Sequence, residues 1–146
     1  MASDMAGLAT KIKKIDSFQA LEDLRKNILE GRDATRLCVA LCSDTGCRAY
    51  GSDDIYNALV QEIQKQGLQE KVDIRRTGCH GFCERGPVAV IFPQDICYLR
   101  IKPEDIPEIV TETLANGRLV ERLLYEDDSG QKITHDKDIP FYKHQN

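Results

Sequence analysis

Six cysteines occur in 146 residues, and four of them fall into two short pairs. Cys42 and Cys47 are separated by Ser43-Asp44-Thr45-Gly46, and Cys79 and Cys83 by His80-Gly81-Phe82. Thiolates act as nucleophiles, as redox groups and as soft metal ligands, so paired cysteines can exchange disulfides, hold zinc or carry iron and sulfide. Four thiolates meet the requirement of one 2Fe-2S cluster, two on each iron, and equally that of a tetrahedral structural zinc. Gaps of four and three residues lie outside the usual two-residue zinc knuckle but within its tolerated range, so spacing leaves both metals open. A thiol oxidoreductase is a third reading. It lacks its usual support, because no Cys-x-x-Cys stands at the first strand-to-helix junction. The spacing also departs from the plant-type ferredoxin run and supplies no second histidine for a Rieske centre.

The residues around the pairs suit a sulfur-rich centre. Gly46, Gly78, Gly81 and Gly86 let backbone approach closely, so amide N–H groups can point at sulfur. Arg48, Arg75, Arg76 and Arg85 are expected to offset its negative charge. Cys38 and Cys97 sit in apolar runs and read as buried structural thiols, and His80 reads as lying outside a ligand set that four cysteines already complete. No acid–base or nucleophile constellation competes. Glu126-Asp127-Asp128 reads as a solvated turn, Asp53-Asp54 as the acidic first turn of a helix, and no glycine-rich phosphate loop appears.

Composition bounds the setting. The net charge of −4 and 41% hydrophobic content describe an ordinary globular chain without the basic face of a nucleic-acid binder. Apolar runs such as Val88 to Phe92 are far too short to span a bilayer, and the N-terminus lacks the apolar core of a secretory signal. No direct membrane insertion is expected, and the cytoplasm is the expected compartment. There, cysteines are metal ligands or redox groups rather than structural disulfides.

The elements that must position the pairs follow from periodicity. Asp16 or Ser17 is placed to cap a first helix bearing Phe18, Leu21, Leu24 and Ile28, with Gly31 as its stop. Leu37 to Leu41 predicts a buried strand leading into the first cysteine loop. Ser52 is expected to cap a helix with Ile55, Leu59 and Ile63 on one stripe, closed by a left-handed Gly67. Val72 to Arg76 alternates like a half-exposed strand and leads into the irregular segment from Thr77 to Pro87, the second cysteine loop. Val88 to Phe92 and Ile96 to Ile101 form a hairpin around Pro93-Gln94-Asp95, and Pro103 starts a last helix that Asn116-Gly117 ends. This order predicts an α/β fold, a thioredoxin-like mixed sheet with flanking helices. The expected organisation is an N-terminal extension with one helix over residues 1–33, the cluster-binding domain over 34–124, and an extended tail or linker over 125–146.

Taken together, Cys42-Ser-Asp-Thr-Gly-Cys47-Arg-Ala-Tyr-Gly-Ser, Thr77-Gly-Cys79-His-Gly-Phe-Cys83-Glu-Arg-Gly-Pro, Lys102-Pro-Glu-Asp-Ile-Pro-Glu-Ile-Val and Gly117-Arg-Leu-Val-Glu-Arg resemble one family. It is the thioredoxin-like 2Fe-2S ferredoxin domain at the N-terminus of NADH-binding flavoprotein subunits of electron-bifurcating hydrogenases and NAD-linked formate dehydrogenases. The resemblance runs from about Leu24 to the end, and the small ferredoxin-like subunit of complex I is similar to a lesser degree. It implies one 2Fe-2S cluster on Cys42, Cys47, Cys79 and Cys83, with no ligand role for Cys38 or Cys97. It further implies a module that is not catalytic alone and passes single electrons within a multi-subunit NADH-linked oxidoreductase. FMN and NAD are then expected only on a partner or on a domain missing from this chain, and the partners are expected to be flavoprotein and iron-sulfur subunits.

Overall fold

A computed structural model describes residues 14–31 and 35–145. The reading of the extreme N-terminus and the boundary expected at 33/34 lie outside the described residues. The chain divides into two compact units, 1–34 and 35–146. In the first, helix α1 spans Phe18–Glu30, and Ser17 caps it by accepting a hydrogen bond from the Ala20 amide at 3.1 Å. None of its residues is buried.

The second unit is built on a four-stranded sheet of β1 (Leu37–Cys42), β2 (Val72–Thr77), β3 (Ala89–Phe92) and β4 (Ile96–Tyr98) in the order β2-β1-β3-β4. β1 and β2 run parallel, while β1–β3 and β3–β4 are antiparallel. A parallel pair needs a crossover. Here α2 (Thr45–Ala49) and α3 (Ser52–Lys65) supply it. Ile55, Leu59 and Ile63 of α3 are buried as the stripe predicts. The helix start differs from expectation: Gly51, at φ 89°, occupies the cap position and Ser52 is already helical and buried. The left-handed backbone there is one that a serine side chain disfavours.

Alternation along the strands gives the sheet two buried faces. Val39, Leu41, Ala89, Ile91, Ile96 and Tyr98 join α3 and residues Ile106, Ile109, Val110 and Leu114 in one core. Cys42, Val88, Val90, Cys97 and Leu99 form a second apolar layer on the other face, together with Cys47, Phe82 and Ile139. Period-two geometry requires this division. The segment expected to be one last helix is a 3-10 turn at Pro103–Asp105, an α turn α4 at Ile106–Glu108 and a wider π segment at Ile109–Ala115, ended by Gly117 at φ 68°.

From Tyr125 the chain differs from the expected extended tail. Strands β5 (Tyr125–Glu126) and β6 (Lys132–Ile133) form a hairpin, a 3-10 turn follows at Asp136–Asp138, and helix α5 spans Pro140–Lys143. This segment reaches β4, where the Cys97 amide donates to the Thr134 carbonyl at 2.8 Å and Ile96 bridges His135. Ile139 is fully buried, in the layer that contains Cys42. The second face of the sheet needs an apolar cover, and this segment provides part of it.

A buried hydroxyl relay ties β4 to the π segment. Thr113 Oγ1 donates to the Arg118 carbonyl at 2.9 Å, so Tyr98 Oη donates to Thr113 Oγ1 at 2.7 Å and accepts the Val120 amide at 3.0 Å. Replacing Tyr98 by Phe strands the Val120 N–H in the core. The expected loss is about 1–3 kcal/mol of unfolding free energy, measured by urea titration with an unchanged slope; no loss would show the relay to be dispensable.

Candidate metal centre

The first pair does not sit wholly on a loop. Cys42 is the last residue of β1, its amide donating to the Val88 carbonyl at 2.9 Å, while the next amide, Ser43, donates to the Thr77 carbonyl at 3.0 Å. The end of β1 is thus clamped between the end of β2 and the start of β3. Cys47 lies on α2, a single turn whose cap Asp44 accepts the Thr45 amide at 2.8 Å. The second pair comes from the irregular segment after β2, with Cys83 opening a 3-10 turn at Cys83–Arg85.

These elements bring the four thiols together as two pairs. The Cys79 and Cys83 sulfurs are 3.4 Å apart, and Cys42 is close enough to Cys47 to help raise its pKa. Two glycines set the distance between pairs. A Cβ built at Gly46 would stand 3.7 Å from Cys83 Sγ, and one at Gly86 only 2.9 Å from Cys47 Sγ. Each loop therefore packs its backbone against a thiol of the other pair. The pairs differ in exposure: Cys42 and Cys47 are buried, and Cys79 and Cys83 are exposed.

A backbone amide already points at sulfur. The Gly81 amide donates to Cys79 Sγ at 3.2 Å, and the Val88 backbone beside Cys47 favours that thiol's ionised form. Burial, reinforced by the neighbouring Cys42, pushes the Cys47 thiol up to about 12, and the Cys79 thiol beside it raises Cys83. Cys47 and Cys83 thus resist ionising beside their neighbours, and bound cations would offset that resistance. Among the described residues, no group of three or more Cys, His, Asp or Glu side chains is already arranged to hold a metal ion. Two pairs meeting through close glycines suit a group with two metal atoms, two thiolates to each.

Other expected residues take different places. Arg48 and Arg76 do not offset the thiols; both pair with Asp53, at 3.1 and 2.8 Å. Arg85 lies 5.8 Å over the Tyr125 ring. His80 is outside the sulfur group, with Nε2 2.8 Å from Thr77 Oγ1 and its pKa lowered by burial. Cys38 is half-buried in β1, and Cys97 is fully buried in the layer shared with Cys42, burial pushing it up to about 12. Sequence reasoning missed the aromatic wall beside the second pair, where Phe82 stacks on Phe141 at 4.5 Å and meets Tyr142 edge-on at 5.8 Å. The cluster Ile139-Pro140-Phe141-Tyr142, apolar within a polar stretch, was its available signal.

Such a fold and sulfur set define a class of iron-sulfur electron carrier on a thioredoxin-like scaffold. Residues 27–114 match the family model of thioredoxin-like [2Fe-2S] ferredoxins. The 2Fe-2S ferredoxin of Clostridium pasteurianum is 32% identical over 77 residues, 53% of this chain and 76% of that protein. The 2Fe-2S ferredoxin of Aquifex aeolicus is 39% identical over 79 residues, 53% of this chain and 71% of its own length. A crystal structure of the Aquifex aeolicus thioredoxin-like [2Fe-2S] ferredoxin superposes with a TM-score of 0.59 at 33% identity, covering 64% of this chain and all of that one. The chain belongs to the thioredoxin-like [2Fe-2S] ferredoxin family. Its function is accordingly electron transfer through a 2Fe-2S cluster.

The close approach at Gly86 is testable. In Gly86→Ala the added methyl must displace Cys47 Sγ or the backbone around Cys83. Iron and sulfide content per chain are expected to fall well below those of the parent under identical reconstitution; equal content would show that the backbone yields without cost.

Proposed function

We propose that Cys42, Cys47, Cys79 and Cys83 hold one 2Fe-2S cluster and that the chain serves as a single-electron module of a multi-subunit NADH-linked oxidoreductase. The observation that carries the ligand assignment is the reciprocal packing of Gly46 on Cys83 and of Gly86 on Cys47, which joins two pairs separated by more than thirty residues. When bound, the cluster supplies a site that gains and loses one electron. The chain's own residues do the rest. Cys42 and Cys47 anchor the inner side in an apolar layer that excludes water, and the Gly81 amide donates to the sulfur of Cys79. Cys79 and Cys83 present the outer side to solvent, where a redox partner can approach.

The reading of a larger assembly rests on the resemblance of the two cysteine motifs to those of NADH-binding flavoprotein subunits. In this reading the partners are flavoprotein and iron-sulfur subunits of a hydrogenase, formate dehydrogenase or related complex working in the cytoplasm. FMN and NAD belong to a partner or to a further domain. No helix among the described residues is long and apolar enough to cross a membrane.

The anaerobically purified chain is expected to show visible absorption, about two irons per chain and an EPR signal on reduction. Cys83→Ala should bleach or destabilise the chromophore. A colourless protein carrying zinc and no iron would sink the cluster assignment. The flavin assignment has its own check, since NADH alone should leave the visible spectrum unchanged. Bleaching by NADH without added flavoprotein would place the nucleotide site on this chain and overturn that part of the reading.

A further inference from the structure

Tyr142 carries an unexplained buried donor. Its hydroxyl oxygen is inaccessible to solvent and has no hydrogen-bond partner, although buried hydroxyls are almost always satisfied. Among the described residues three buried side-chain polar atoms share that condition. Of these, Tyr142 Oη belongs to a side chain packed against the apolar layer that contains Cys42, Cys47 and Cys97. The side chain is well fixed there. Its backbone amide donates to the Ile139 carbonyl at 2.9 Å, Ile139 is itself fully buried, and the ring stands edge-on to Phe82 and to Phe141. Phe82 is the residue immediately before Cys83 and lies between the exposed ligands.

Resting on the cluster reading above, we infer that the Tyr142 hydroxyl donates a hydrogen bond to a sulfide of the bound cluster, making Tyr142 a residue that tunes the potential. The charge environment agrees, because the hydroxyl's pKa is raised by burial first and then by Cys97, Asp136, Cys42 and Cys79, so that one member of each ligand pair acts on it. Cys97 lies in the layer that Tyr142 packs against but does not accept from it. Burial keeps it a neutral thiol, which accepts weakly, whereas a sulfur bound to iron carries negative charge and accepts strongly. The family model ends at residue 114, so this donor comes from a segment outside the matched stretch.

A donor at sulfur stabilises the reduced cluster more than the oxidised one, because reduction adds negative charge. Tyr142→Phe removes one oxygen and keeps the ring contacts. With iron content and visible absorption equal to those of the parent, its midpoint potential, followed by EPR-monitored titration, is expected to shift to more negative values. Tyr56→Phe, which removes a hydroxyl from α3, is the control and should titrate with the parent. If the phenylalanine variant loads poorly, Tyr142→Met, which also lacks a donor, is expected to show the same negative shift. Unchanged potentials in loaded Tyr142 variants would overturn the inference and leave the cluster reading standing. An iron-free parent chain would overturn both.

Discussion

Where the backbone of Gly86 passes Cys47, a methyl group would stand 2.9 Å from the sulfur, and most of the second unit follows from keeping that approach. Cys47 rides on a one-turn helix, and Gly86 belongs to a turn with little regular structure of its own. Neither holds its place by local preference. Their separation is fixed by the sheet beneath: β1 ends on the Val88 carbonyl, the Ser43 amide reaches Thr77, and β3 continues directly from the turn. Strand pairing thus helps to set where the sulfurs stand, as a rigid element does better than a loop alone.

The same sheet separates two tasks by the pleat. One face carries Val39, Leu41, Ile91 and Tyr98 against α3 and does the ordinary work of a core. The other holds Cys42, Val90 and Cys97 in a second apolar layer and forms the floor of the centre. The thiols are therefore surrounded more by hydrocarbon and amide than by formal charge. Arg48 and Arg76 pair with Asp53, and the donor that the structure places on a ligand sulfur is a backbone amide, that of Gly81.

Much of this was legible in sequence wherever periodicity was long enough to read. Ile55, Leu59 and Ile63 announced α3, and the two apolar runs around Pro93-Gln94-Asp95 announced the β3–β4 hairpin, with Asp95 in the left-handed region. Cys42, Cys47, Cys79 and Cys83 stood out by type and spacing. Their convergence did not, because it depends on strand order and on two glycine contacts that no local pattern encodes. Ser52 was misplaced as a cap since a preceding glycine took the left-handed position. The segment beyond Tyr125 resembles a tail in sequence because its strands are two residues long and its helix four, too short for any period to show. Its order comes from burying Ile139, a tertiary fact.

That segment also changes what the sheet offers to other molecules. An open strand edge is a row of unpaired amides and carbonyls on which a second chain can add, the first step of ordered aggregation. Along β4 this row is occupied, with Cys97 bonded to Thr134 and Ile96 bridged to His135. At the opposite edge, β2 carries Asp73, Arg75 and Arg76, charges that oppose such pairing. Thr134 and His135, between the hairpin and the short helix, thereby cover this edge. A chain cut before residue 125 would expose β4, and with it an apolar strand able to recruit copies of itself.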